Sequence, residues 1–368
     1  MKINKIKAAF VVNSLKSRNG ADVFLVDLVT AFAMNGKINF ILVCLYDEID
    51  ESFIKILKEH NVKVYFCHKK RKIDLKCSRE FKKIINNFSP NIINTHLSVL
   101  PTYFLAFGFL KRQWRIVKTY HSVPGHDLKK INVVLEKIYL KKKMLFFIGI
   151  SDEISKKSLL MFPKATIRTI ENGIFLPQQN ELHEAKREYD FIIVASLEPI
   201  KNHYLLLNAF RKFLQKYPFS KLVIVGGGSK EREYKVFVSN NSMENNVVFT
   251  GPVDDVFEYL NKSKIFVLSS LQEGNPISIL EAVSVGLPII APRVGGIPNV
   301  IKNEINGLLF NLNDEIGLLN AMTILYENDV LKRTISINNK IYAKDFSIEK
   351  TANEYFDYFC WVSKTAAN

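Results

Sequence analysis

Cysteine is scarce and scattered: four in 368 residues (Cys44, Cys67, Cys77 and Cys360), with no CxxC pair. That spacing excludes a zinc ribbon and a disulfide scaffold, and it fits free thiols in a reducing compartment. No uncharged apolar run reaches the ~18 residues that a spanning helix needs. The best candidate, 97–110, is stopped by Lys111 and Arg112. Lys2, Lys5 and Lys7 lead into an apolar stretch, 8–12, that is too short for a signal-peptide core. The chain therefore reads as cytosolic. Only 16 glycines and 12 prolines are present, which excludes a collagenous or low-complexity chain. There is no DxD motif, which argues against a metal-bridged diphosphate. No GK[ST] follows Gly226-Gly227-Gly228, so an ATPase P-loop is rejected.

Hydrophobic residues make up 48% of the chain and charged residues 24%, enough apolar material for two domain cores. The net charge of +15 is placed unevenly. Residues 1–176 carry 31 Lys+Arg against 14 Asp+Glu, a net of +17, whereas 177–368 carry 20 against 22, a net of −2. A charge serving solubility alone would be spread more evenly, so the first half is expected to meet an anionic partner. The visible clusters are Lys69-Lys70-Arg71-Lys72, Lys82-Lys83, Lys129-Lys130 and Lys141-Lys142-Lys143.

Short apolar runs at 7–12, 38–45, 62–66, 91–96, 115–121, 145–150 and 167–170 read as buried strands separated by amphipathic stretches of helical length. Strands alternating with helices predict βαβ units and a parallel sheet. The polar stretch 177–189 breaks the rhythm and reads as a linker. The pattern then restarts at 190–195, 221–225, 246–249, 265–269, 288–291 and 308–310, and 314–361 looks mostly helical. The expectation is two doubly wound domains, 1–176 and 177–346, joined by that linker. Open parallel sheets bind ligands at the carboxyl ends of their strands.

The densest chemical signal is Ser269-Ser270-Leu271-Gln272-Glu273-Gly274-Asn275-Pro276-Ile277, followed by Glu281, Gly286-Leu287-Pro288 and Gly295-Gly296. Asn275-Pro276 is expected to supply the cap and first position of a helix. Glu273 then sits on the loop before that helix and Glu281 inside it. Two carboxylates facing one mouth accept hydrogen bonds from hydroxyl-rich ligands. Asp254-Asp255 reads as a helix cap, and His96, closing Asn94-Thr95-His96, reads first as structural and stays a weak site candidate.

The E-x7-E pair in the context EGNPISILEAVSVGLPII, followed by GG, resembles the best-known motif of the family-4 glycosyltransferases, retaining enzymes of the GT-B fold. Agreement continues in order at Asn19-Gly20-Ala21-Asp22, Thr119-Tyr120-His121, Ser151, Asn172-Gly173-Ile174, Lys201-Asn202, Gly226-Gly227-Gly228 and Gly251, so the resemblance spans nearly the whole chain. It implies that Glu281 binds the nucleotide ribose, that Glu273 contacts donor sugar hydroxyls and that Lys201 pairs with the donor diphosphate. It also implies that the Asn19–Gly20 loop approaches the donor through its backbone, that His121 lies against the sugar, and that Ser196, Gly251, Gly274, Asn275, Pro276 and Ile277 line the donor site. The GT-B resemblance further implies a final helix, about 347–368, that crosses back to the first domain. No metal or other cofactor is implied.

The chain departs from the family pattern at three places. Ser196 stands where arginine is usual, Asn299 where glutamate is usual, and Asn19-Gly20-Ala21-Asp22 where Gly-Gly-Ala-Glu is usual. One diphosphate-neutralising charge is missing unless Arg293 or another basic residue supplies it. The resemblance implies a nucleotide-sugar donor, UDP- or GDP-linked. The basic half suits a glycan or polyprenyl-diphosphate-linked acceptor at an anionic membrane surface, in surface polysaccharide, O-antigen or lipopolysaccharide synthesis, with no nucleic-acid role. An inert subunit that binds a partner enzyme, or a nucleotide-sugar epimerase, would share the architecture.

Overall fold

The computed structural model describes residues 6–16, 19–71, 74–96, 114–123, 130–177 and 187–365. The uncharged stretch 97–110 and most of the expected linker lie outside these residues. The chain divides into two units, one formed by 1–173 with 348–368 and the other by 174–347. The first division falls three residues before the expected linker, because the Ile174 N–H already donates to Phe346 O at 2.9 Å within the second unit. Among the described residues no helix is long and apolar enough to cross a membrane, and no cluster of three or more His, Cys, Asp or Glu could hold a metal.

The first unit contains a seven-stranded sheet of β1 (Lys7–Val12), β2 (Asn39–Cys44), β3 (Val64–Phe66), β4 (Ile92–His96), β5 (Arg115–Tyr120), β6 (Leu145–Gly149) and β7 (Ile167–Thr169), ordered β3-β2-β1-β4-β5-β6-β7. All pairings are parallel. Both faces are covered, so the strands are apolar on both sides rather than alternating. Val11, Val43 and Ile93 face Cys77, Phe81 and Tyr139 of the Leu75–Phe88 and Lys130–Lys141 helices. On the other face Phe10 meets Phe32 of the Gly20–Asn35 helix at 5.9 Å and Phe359 of the Ile348–Lys364 helix at 6.1 Å. The final helix thus completes the first unit's core.

The second unit holds β8 (Tyr189–Val194), β9 (Leu222–Val225), β10 (Val247–Gly251), β11 (Ser263–Val267), β12 (Ile289–Pro292) and β13 (Gly307–Phe310), ordered β10-β9-β8-β11-β12-β13, again all parallel. Phe191 of β8 packs edge-on against Phe213 of the His203–Leu214 helix, 5.1 Å between centroids. The expected long C-terminal helical region is three helices, Glu315–Glu327, Asp329–Tyr342 and Ile348–Lys364, broken at Asn328 and in the 3-10 turn Ala343–Phe346. In each sheet the chain reverses its direction of winding once, between β1 and β4 and between β8 and β11. Ligands of doubly wound sheets bind at the carboxyl ends of the strands flanking such a switch point.

Candidate functional site

The switch point of the second unit gathers most of the residues expected from sequence. After β8 the chain turns through the 3-10 turn Pro199–Lys201, and after β11 it runs through Ser269 to Pro276 into the Ile277–Ser284 helix. The two loops are tied together. Leu271 N–H donates to Ile200 O at 2.8 Å, and the Ser269 hydroxyl donates to Lys201 O at 3.0 Å. This fixes the Lys201 backbone, and its Nζ reaches Glu273 Oε1 at 2.6 Å, with side-chain exposures of 23% and 8%. A carboxylate this buried needs its cation, since removing one partner of such a pair leaves an uncompensated charge.

Glu281 lies one turn into the Ile277–Ser284 helix. Burial, together with the negative charge of Asp255, pushes its carboxyl up to about 7. Asp255 Oδ1 accepts from Phe257 N–H at 2.8 Å, the helix cap that the sequence predicts. The expected cap at Asn275 is displaced by one residue. Pro276 holds the N-cap position with no side-chain bond, and Asn275 is buried in the preceding loop. Asn275 cannot cap because the helix begins at Ile277, one residue later than the Pro-at-first-position rule places it. With no capping side chain, the first N–H groups of this helix, beginning at Ile277, are oriented to receive an anion.

The glycine loops close over the same sheet edge. Gly226 N–H donates to Gly251 O at 3.0 Å, and Leu197 N–H donates to Gly227 O at 2.9 Å. Gly295 has φ +58, and a Cβ placed there would lie 1.7 Å from Glu273 O. Only glycine lets the β12 loop cross the Glu273 backbone so closely. Ser196 is exposed at the end of β8, and its carbonyl accepts from His203 Nε2 at 3.1 Å. Arg293 is exposed just beyond β12, its N–H bonded to Phe310 O. The edge therefore carries the Lys201–Glu273 pair, the Glu281 carboxylate on the helix that follows, and the first backbone N–H groups of that helix, with Arg293 just beyond β12: a set suited to a polyhydroxylated anion.

The first unit's switch point carries the remaining candidates. Asn19 caps the Gly20–Asn35 helix, its Oδ1 accepting from Ala21 N–H and Asp22 N–H at 3.0 Å each. Its side chain is thus committed, leaving backbone for any ligand. His121 follows β5, and its Nε2 lies 2.9 Å from His96 Nδ1. His96 Nε2 lies 2.7 Å from Asn94 Oδ1. Burial draws His121 down to about 4, and burial with the neighbouring His121 holds His96 well below the ordinary imidazole range. From sequence, His96 is only a weak candidate, more often structural. The usable signal was its period-2 relation to Asn94, which puts both side chains on one face at a strand end.

The family model described as "Glycosyl transferases group 1" matches residues 176–342, which fall within the second unit. The chain is 27% identical over 308 residues to an Escherichia coli protein named UDP-Gal:alpha-D-GlcNAc-diphosphoundecaprenol alpha-1,3-galactosyltransferase, covering 78% of this chain and 79% of that one. It is 30% identical over 234 residues to the Escherichia coli O-antigen biosynthesis glycosyltransferase WbnH, covering 63% of this chain and 64% of that one. Among solved structures, Anabaena Alr3699/HepE in complex with UDP superposes with a TM-score of 0.80 at 16% identity, covering 96% of this chain and 99% of that one.

Proposed function

We propose that this chain is a glycosyltransferase of the GT-B fold, a reading that the family model and the curated relatives support, and that it moves a hexose from a UDP-linked donor onto a polyprenyl-diphosphate-linked glycan, with retention of configuration, in surface polysaccharide or O-antigen assembly. The observation that carries this reading is the Lys201–Glu273 pair at the second sheet's switch point, with Glu273 on the loop that leads into the helix bearing Glu281. The names of the relatives support the donor and the acceptor class.

In this reading the Glu281 carboxylate accepts from the ribose hydroxyls, and the open end of the Ile277–Ser284 helix meets the diphosphate. Lys201 stabilises the charge that develops on the leaving diphosphate, where a preorganised cation acts most strongly. Glu273 aligns the sugar through its hydroxyls. The departing diphosphate takes the acceptor hydroxyl's proton on the face from which it leaves, so no side-chain nucleophile is required. The cations and backbone donors neutralise the diphosphate without a metal.

The first unit supplies the acceptor and membrane side. Val134, Lys137, Ile138 and Lys141 are exposed and fall within about 100° of the circumference of the Lys130–Lys141 helix, and Lys142 and Lys143 continue from it, also exposed. Apolar residues beside lysines are the composition of a reversible contact with an anionic leaflet. The testing experiment incubates the protein with UDP- and GDP-sugars and a polyprenyl-diphosphate-linked GlcNAc acceptor. The expected result is acceptor-dependent release of UDP and a product with the donor's anomeric configuration. Nucleotide binding without release from any donor would favour the inert-subunit reading, and an inverted product would remove the retaining mechanism.

A further inference from the structure

We propose that Asn94 and His96 are positioning residues that lock the His121 ring into its Nε2–H tautomer, so that it offers a sugar hydroxyl a lone pair at Nδ1 rather than a proton. The inference rests on the reading of the chain as a glycosyltransferase only for the identity of the hydroxyl.

The direction of the relay follows from a single backbone carbonyl. Val117 O can only accept, and it lies 2.9 Å from Asn94 Nδ2. The amide must therefore face it with its NH₂ group, which also reaches Thr119 Oγ1 at 3.1 Å. Asn94 Oδ1 is then the acceptor toward His96, so His96 Nε2 carries the proton across the 2.7 Å contact. A neutral His96 has its lone pair on Nδ1, and His121 Nε2 must donate to it across 2.9 Å. The His121 lone pair is left on Nδ1. That atom is buried, and among the described residues no donor reaches it.

The surroundings keep both rings neutral and in place. Phe24 of the Gly20–Asn35 helix sits 5.8 Å from the His121 centroid at an interplanar angle of 61°, and Phe10 and Phe24 flank His96. Tyr355 of the final helix closes the far end, its hydroxyl 3.3 Å from Thr119 Oγ1. A buried acceptor without a donor is costly, and an entering hydroxyl removes that cost. The relay ends on an amide, so it carries no proton away. Its role is to set polarity.

The test is nitrogen-15 NMR of histidine-labelled full-length protein without ligand, which distinguishes protonated from bare ring nitrogens. Wild type should show His121 protonated on Nε2 and bare on Nδ1. Asn94→Asp should make His96 doubly protonated and reverse His121 to the Nδ1–H form. His96→Gln, which keeps an acceptor for Nε2–H, should preserve the wild-type tautomer and serves if Asn94→Asp fails to fold. His96→Leu should lower kcat/KM for UDP-sugar turnover roughly 3–10-fold, with the affinity for UDP alone unchanged. A wild-type His121 bare on Nε2 overturns the proposal, and so does a tautomer indifferent to Asn94→Asp. A His96→Leu protein with altered tautomer and full turnover would also overturn it. Because the spectrum needs no substrate, inactivity toward every donor would count against the transferase reading and leave the relay standing.

Discussion

Lys201 Nζ and Glu273 Oε1, 2.6 Å apart, join the loops after β8 and β11 across the switch point where the second sheet reverses. A donor diphosphate entering there competes with Glu273 for the same ammonium. Glu273→Gln should therefore leave UDP affinity equal or tighter, since Lys201 no longer has an internal counter-charge, while turnover falls about tenfold or more with loss of a charge-assisted bond of ~1.5–3 kcal/mol to the sugar. Lys201→Ala should reduce both, and also lower the melting temperature, because Glu273 is left buried without its cation. Calorimetry with UDP, steady-state kinetics and thermal unfolding separate these outcomes. Near-full activity in Lys201→Ala would move the diphosphate site to another cation, Arg293 first.

Glu281 couples stability to function through pH. Its folded carboxyl titrates near 7, above its ordinary value of 4.5, so folding favours the protonated form. The benefit is complete below about 4.5 and is lost as pH rises through 7, where the buried charge must form. Glu281→Gln should thus raise the melting temperature at pH 8 and leave it nearly unchanged at pH 4. The same variant should weaken UDP binding, which in wild type should strengthen as pH rises through 7 and the carboxylate becomes a full acceptor. Thermal scans at the two pH values and a calorimetric pH series check both halves. A variant no more stable than wild type at pH 8 would refute the buried-charge account.

Gly295 and Gly251 make a controlled pair. Both have positive φ, +58 and +71, but a Cβ on Gly295 meets Glu273 O at 1.7 Å whereas one on Gly251 meets nothing within 4 Å. Gly251→Ala should cost only the backbone term, ~1–2 kcal/mol. Gly295→Ala should cost more and also displace Glu273, so that turnover falls well beyond any loss of stability. Denaturant unfolding alongside kinetics of the two variants tests this. Equal behaviour would mean that the Glu273 loop yields without consequence.

Much of this was legible in the sequence because fully buried parallel strands are apolar runs of fixed length, and loops at strand ends must hold glycine, proline and polar residues. The thirteen described strands lie within two residues of the apolar runs that announce them. Lys118 is the instructive exception. It interrupts the β5 pattern as a surface lysine would, yet it is 2% exposed, and its Nζ meets Glu136 Oε1 at 2.6 Å. Nothing in local sequence specifies that a carboxylate eighteen residues later, with Tyr120 OH 3.0 Å from its other oxygen, will make burial tolerable. The His96–His121 contact was hidden for the same reason, since it joins two strand ends through register and not through spacing along the chain.

Ser196 is exposed at the position where the resembling family carries arginine, and among the described residues its carbonyl is the group held by a hydrogen bond, from His203 Nε2. An arginine side chain can therefore extend from it without displacing packed atoms. Ser196→Arg should preserve or strengthen UDP binding, by about threefold to tenfold if the guanidinium adds one charge-assisted contact. A calorimetric titration decides it, and weakened binding would show that the diphosphate is held away from the β8 loop.

Exposed Lys137, Lys141, Lys142 and Lys143 beside exposed Val134 and Ile138 put charge and apolar surface on one helix and its extension. Each basic residue near an anionic leaflet contributes roughly 1 kcal/mol, so reversing Lys141, Lys142 and Lys143 to glutamate should weaken vesicle binding at least ~100-fold at low salt. The apolar pair is small and adds little insertion, so charge should dominate. Wild type should co-sediment with phosphatidylserine-containing vesicles at low ionic strength, dissociate at high salt through screening, and ignore neutral vesicles. Binding that persists at high salt would mean that inserted side chains, not lysines, hold the protein. A triple variant binding as tightly as wild type would move the contact to another basic cluster, with Lys69-Lys70-Arg71 the next to reverse, because those residues also lie in the strongly positive first unit and are at least partly exposed.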